Sequence, residues 1–192
     1  MTHVFERYFT ATRGVDYTDK LCEATLKTLI RNAAIVMKEP KNYVARGEIM
    51  LAAALANSNH LSMGRIPEYS CHIIEHELSA FYDIPHGAGM SIIYPAWMKY
   101  VYKKDLSRFA QFATKVWNID AEYQDIEFLA LEGIKATENF FKWLGLAVTL
   151  NKMNIPDDKF EEVAKRCTSE KLLGTTFPLK LKDVINIYKL AK

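Results

Sequence analysis

Three of the five histidines of this chain fall within fifteen residues, in Cys71-His72-Ile73-Ile74-Glu75-His76-Glu77 and the Asp83-Ile84-Pro85-His86-Gly87 that follows. Side chains at i and i+4 stack on one face of a helix, so His72 and His76 are expected to point into the same space. The Asp-Ile-Pro-His-Gly segment breaks that helix and is placed to fold a third imidazole back toward the pair. Neutral imidazole is the commonest metal ligand, and it titrates near neutral pH. The chemistry on offer is therefore metal binding, proton transfer or both.

A ligating imidazole needs its second nitrogen fixed by a carboxylate or a carbonyl. Glu75, Glu77 and Asp83 are close enough in sequence to serve, although Glu77 reads better as a solubilising residue on the helix face. Cys71 points about 100° away from His72 on a helix and is expected to be a packed, inert thiol. His60 reads as an ordinary hydrogen-bonded histidine, and His86 has the alternative of simply opening the next helix. The string His72-Ile73-Ile74-Glu75-His76 also has the His-x-x-Glu-His form of an inverzincin. In that reading two imidazoles hold zinc, Glu75 is the general base of a hydrolase, and Glu132 or Glu138 supplies a further ligand. A third reading is a helical interaction domain whose histidines bind nothing.

The elements that must position these residues are helical almost throughout. Thr18 or Asp19 is expected to cap a helix that runs to about Lys38, where Glu39-Pro40 stops it. Asn42 or Tyr43 opens a second helix that ends at Asn57-Ser58-Asn59. A loop with Gly64 and Pro67 leads into the histidine helix, about 68–82. Residues 88–103 read as a buried helix with little room for a polar face, kinked or restarted at Pro95. Further helices are expected at about 105–117, 123–147, 157–170 and 181–191, with Asp105, Asp125, Asp157 and Asp183 as caps or first-turn acids. The first nine residues look helical at once, with Val4, Phe5, Tyr8 and Phe9 on one stripe and only Thr2 to cap it. So abrupt a start suggests a cut within a larger protein, or a gene that restarts there. The expectation is a single all-α domain of eight or nine helices over residues 1–192.

Composition narrows the partners. The chain has 192 residues and a net charge of +2 with both signs interspersed, which is no electrostatic footprint for nucleic acid. No apolar run approaches the roughly 18 residues of a membrane span, and no secretory leader is evident. Cys22, Cys71 and Cys167 are odd in number and widely spaced, which argues against a disulfide framework. These features suggest a cytoplasmic domain with reduced thiols.

The cluster together with its flanks is more specific than any single motif. The text Ser70-Cys71-His72-Ile73-Ile74-Glu75-His76-Glu77-Leu78-Ser79-Ala80-Phe81-Tyr82-Asp83-Ile84-Pro85-His86-Gly87-Ala88-Gly89, continued by Ile92-Ile93-Tyr94-Pro95-Ala96-Trp97-Met98, resembles the iron-containing (group III) alcohol dehydrogenases, and their butanol-dehydrogenase branch above all. His3-Val4-Phe5-Glu6-Arg7-Tyr8 is similar to the first helix of that family's C-terminal domain, and Gly174 to Ala191 is similar to its closing helix. The likeness spans the chain but only the C-terminal half of the family's protein.

The resemblance implies an all-helical domain holding a divalent metal in a cleft against an N-terminal dinucleotide-binding domain, which is absent here. It implies His3, His72 and His86 as metal ligands, and His76 as the histidine that faces nicotinamide and substrate, a candidate catalytic proton relay and cofactor contact. The family's aspartate ligand would lie four residues before His3, outside this chain. Three imidazoles and a water suit zinc, whereas Fe²⁺ is better served by a hard anionic ligand. Glu68-Tyr69 stands where the family often has an acid followed by Trp. The full enzyme would interconvert a small primary alcohol and its aldehyde with NAD(P), and the segment 57–65 would line the cleft mouth, with Leu61 and Met63 as substrate contacts or core residues. The chain alone is expected to be silent, to expose an apolar cleft face and to associate as a homo-oligomer.

Overall fold

The computed structural model describes residues 1–122, 125–168 and 172–192. Among them are nine α-helices: α1 Thr2–Tyr8, α2 Asp16–Lys38, α3 Tyr43–Asn57, α4 Ser70–Tyr82, α5 His86–Val101, α6 Leu106–Trp117, α7 Ile126–Trp143, α8 Phe160–Cys167 and α9 Leu181–Leu190. Three short 3₁₀ turns join them, and extended pairing among the described residues amounts to one isolated bridge between Leu173 and Leu179. The all-α expectation holds. No helix among these residues is long and apolar enough to cross a membrane. The three cysteines are free thiols.

α5 is the central element, because its sequence is apolar nearly all round. Ile92, Ile93, Tyr94, Trp97 and Met98 are fully buried, and α4, α7 and α9 pack around them. Each such side chain contributes about 1.5–3 kcal/mol of transfer free energy. α5 continues without interruption through Pro95, so that residue marks no restart. At seven residues, α1 is far shorter than the roughly 12–15 that an isolated helix needs. Its stability comes from the aromatic rings it inserts into the core. Phe5 lies 5.0 Å from Tyr94 and 5.4 Å from Phe112, and Phe9 lies 4.6 Å from Phe109, measured between ring centroids.

Several capping expectations are met, and those for Thr2, for Thr18 or Asp19 and for Asp157 are not; Thr2 is itself the first residue of α1, which has no side-chain cap. Asn42, Asp105 and Asp125 accept backbone N–H bonds at the starts of α3, α6 and α7. Asp183 closes a capping box at the start of α9. Thr18 and Asp19, however, lie inside α2, which begins one turn earlier at Asp16. Asp19 is instead buried between two guanidinium groups, 2.7 Å from Arg65 and 2.6 Å from Arg108. A capping aspartate and an ion-paired one look alike in sequence; the arginines that decide the matter are 46 and 89 residues away. Asp157 pairs with Lys192 and lies ahead of α8, which starts at Phe160. The expected helix start at about residue 123 and the expected helix end at about residue 170 lie outside the described residues.

Candidate metal centre

Three separate elements deliver the histidines. α1 carries His3, α4 carries His72 and His76, and the first residue of α5 is His86. The turn between α4 and α5 is made by Asp83, whose φ of 52° reverses the chain, and by Pro85, which precedes α5 in extended geometry. Asp83 therefore serves the turn rather than an imidazole. The four rings converge. Centroids are 4.5 Å apart for His3 and His72, 5.4 Å for His72 and His86, 4.9 Å for His76 and His86, and 6.1 Å for His72 and His76. His72 is buried, His3 partly so, and His76 and His86 are exposed. His60 is exposed elsewhere, beside Ser58.

His72 is the best-defined member. Its Nδ1 lies 2.8 Å from Oε1 of Glu6, which also accepts the His72 backbone N–H at 3.1 Å. Its Nε2 is buried with no partner among the described residues, an arrangement that costs about 1–3 kcal/mol unless something occupies that position. Burial, reinforced by the neighbouring rings of His86 and His76, pushes the His72 pKa down to about 4. Burial and the nearby His72 likewise push His3 down to about 4. Both imidazoles are thus neutral at pH 7, the form that binds metal. Burial pushes Glu6 the other way, up to about 8.

Glu75 is completely buried between α4 and α5. Its carboxylate accepts the Ser79 hydroxyl and engages His86 Nδ1, and a Cβ on Gly89 would collide with it. Glu75, His76 and His86 present donor atoms within 4.8 Å of one another. The Glu75 oxygens are already engaged, so we read Glu75 as the partner of His86. The same burial speaks against Glu75 as a hydrolytic base, which needs to meet a water in an open cleft. The glutamates nominated as further zinc ligands are committed elsewhere: Glu132 to Lys135, and Glu138 to Lys99 and Lys142. Cys71 is fully buried, and that burial raises its thiol well above the ordinary range, as an inert role requires.

The wall beside the cluster includes Tyr69, whose ring lies 6.4 Å from that of His72 and carries the Arg7 guanidinium 5.6 Å from its centre. Tyr69 has φ 58°, a conformation that a bulky residue adopts only under constraint. The constraint is Glu68, whose buried carboxylate accepts the backbone N–H groups of Thr175, Thr176 and Phe177. Leu61, one of the two expected cleft contacts, belongs to the core, while Met63 is exposed. Glu6 and the Glu68 latch were not evident from the sequence, because their partners lie 66 and 107–109 residues away.

The residues present suit a divalent metal: an orphaned buried imidazole nitrogen, two further imidazoles around it, and carboxylates on the far nitrogens of two of the three rings.

Comparison with known proteins agrees. Residues 1–192 match the family model for the C-terminal region of the Fe-containing alcohol dehydrogenase family. NADH-dependent butanol dehydrogenase A of Clostridium acetobutylicum is 39% identical over 98% of this chain and 49% of its own length. The NADPH-dependent aldehyde reductase YqhD of Escherichia coli is 30% identical over 99% of this chain and 49% of its own. The crystal structure of NADH-dependent butanol dehydrogenase A from Thermotoga maritima superposes with a TM-score of 0.91 at 34% identity, over 99% of this chain and 49% of that one. The chain spans about half the length of the relatives it matches. With family model, relatives and fold in agreement along its whole length, the chain belongs to the iron-containing alcohol dehydrogenase family and corresponds to its C-terminal, all-helical region.

Proposed function

We propose that this chain is the metal-holding half of an NAD(P)-dependent oxidoreductase that interconverts a small primary alcohol and its aldehyde. His3, His72 and His86 are the ligands in this reading, and His76 faces nicotinamide and substrate. One observation carries it: among the described residues the buried Nε2 of His72 has no partner, while its other nitrogen is held by Glu6 and two further imidazoles stand within 5.4 Å of its ring. When bound there, the metal supplies Lewis-acid polarisation of an alcohol or carbonyl oxygen. The chain's own contribution is position and proton handling. Neutral His3 and His72 need no proton removed before they bind at pH 7. His76, exposed 4.9 Å from His86, is free to relay a proton between a substrate hydroxyl and solvent. Tyr69 and Ile73, both partly exposed next to His72 in space or sequence, offer apolar contact to a short alkyl chain. Hydride transfer belongs to NAD(P), bound in this reading by the half of the relatives that lies outside the chain.

The test is elemental analysis of the purified chain after incubation with Fe²⁺ or Zn²⁺ and desalting, beside a His72→Ala/His86→Ala variant. Near-stoichiometric metal in the wild type, lost in the variant, is the expected result, with zinc retained better than iron by an imidazole-only set. Equal retention by both proteins would sink the assignment. Alcohol-dependent NAD(P) reduction by the chain alone is expected to be absent.

A further inference from the structure

Two buried carboxylates face the candidate ligands from the protein side, one from α1 and one from α4. Oε1 of Glu6 sits 2.8 Å from His72 Nδ1 and also accepts the His72 backbone N–H. That main-chain donor can only give a proton, so Oε1 is an acceptor there; a proton carried by Glu6 then sits on its other oxygen, Oε2, and the ring nitrogen beside Oε1 is the donor. Glu75 engages His86 Nδ1 through Oε2, while the Ser79 hydroxyl donates to its other oxygen and holds the carboxylate in place. Both glutamates are completely buried. Gly89 is what admits Glu75 so close to α5, since any Cβ there would displace the carboxylate.

We infer that Glu6 and Glu75 are positioning residues that lock His72 and His86 in the Nδ1–H tautomer, each leaving Nε2 as the only nitrogen able to take a metal. The inference rests on the metal-centre reading above and extends it to residues that touch no metal. The two carboxylates act on different rings through different helices, so their effects should be separable. Each ring has one free nitrogen and a fixed plane, which removes half of the possible ligand geometries before metal arrives. Among the described residues no carboxylate is hydrogen-bonded to His76, in keeping with a relay role, which requires either nitrogen to exchange its proton.

Long-range ¹H–¹⁵N correlation on the metal-free, histidine-labelled full chain at neutral pH reads the tautomer of each ring directly. The expected spectrum shows His72 and His86 protonated on Nδ1. Glu75→Ala should convert His86 alone to a tautomer mixture, and Glu6→Ala should do so for His72 alone. Zinc titration of the same proteins should show a loss of affinity of about 10–100-fold for each alanine variant. Glu6→Gln and Glu75→Gln keep an acceptor oxygen and should recover part of it. These conservative variants also keep the inference testable if either alanine variant fails to fold, which thermal melts would reveal. Either ring found protonated on Nε2, or folded alanine variants with unchanged tautomers and unchanged zinc affinity, would overturn the inference. Zinc uptake by the wild type with indifferent variants sinks this inference alone. No uptake by the wild type sinks the metal-centre reading together with it.

Discussion

At the scale of single residues, the candidate site is built from groups whose ordinary charge is suppressed by burial. His3 and His72 have pKa values lowered to about 4 from 6.5. Between those limits the unfolded chain binds protons that the folded chain refuses, so stability rises with pH through the window and is lost as pH falls from 6.5 toward 4. Glu6 acts with the opposite sign. Its pKa is raised to about 8, so its contribution is present at low pH and lost as pH climbs from 4.5 through 8. Urea unfolding of the chelator-treated chain should therefore show stability declining below pH 6.5, and a His3→Gln/His72→Gln variant should show a shallower decline. An identical slope in both would mean that these imidazoles are not desolvated. Saturating zinc should steepen the wild-type dependence, because protons and metal compete for the same nitrogens.

At the scale of elements, α4 is aimed by its N-terminal connection as much as by its packing. The Glu68 carboxylate gathers the N–H groups of three successive residues, Thr175 to Phe177, and Gly174 at φ 91° brings that loop against it. The Glu68 backbone N–H donates to Glu6 O at 2.8 Å, which ties the same turn to α1. Arg65 completes the frame by donating to Arg7 O, Val15 O and Asp19. α1, the start of α4 and the 172–180 loop are thus one cross-braced unit, and His3 and His72 ride on it. Removing the Glu68 carboxylate strands three backbone donors, that of the buried Phe177 among them, so Glu68→Ala should cost about 1–3 kcal/mol of stability in denaturant titrations. Gly174→Ala should be destabilising as well, since it needs both a left-handed backbone and the space Glu68 occupies. A Glu68→Ala protein of wild-type stability would show that the latch is incidental.

At the scale of the whole molecule, a large core coexists with an uncovered apolar surface. Ile66, Met63 and Ile73 are exposed near the histidine segment, and Tyr43, Val44, Met50 and Leu51 are exposed on α3, with Tyr43 at 89%. The four on α3 lie at helical spacing, and large apolar side chains grouped on one helix in this way are the kind of surface that promotes association. The chain spans about half the length of its relatives. The isolated chain is accordingly expected to self-associate, with a mass in light scattering above the 22.0 kDa of one copy. A single sharp species of that mass would show that the exposed side chains are tolerated singly.

What the sequence determined by itself was local. The period of the apolar residues dictates helices, the fully apolar stretch from Ile92 to Met98 dictates which helix is central, and the i,i+4 spacing places His72 and His76 on one face. Asn42, Asp105 and Asp125 were legible as caps because their partners are two or three residues away. The grouping of His3 with His72 and His86 came from resemblance to a family, since nothing in spacing alone joins residue 3 to residue 72. Only the tertiary structure decided that Asp19 pairs with arginines instead of capping α2, that Glu75 turns inward to His86, and that Glu6 and Glu68 hold α4 from behind. These are contacts between elements, with partners 11 to 109 residues apart. The chemistry of a buried carboxylate is set by whichever donor the fold brings to it, and no local pattern specifies that donor.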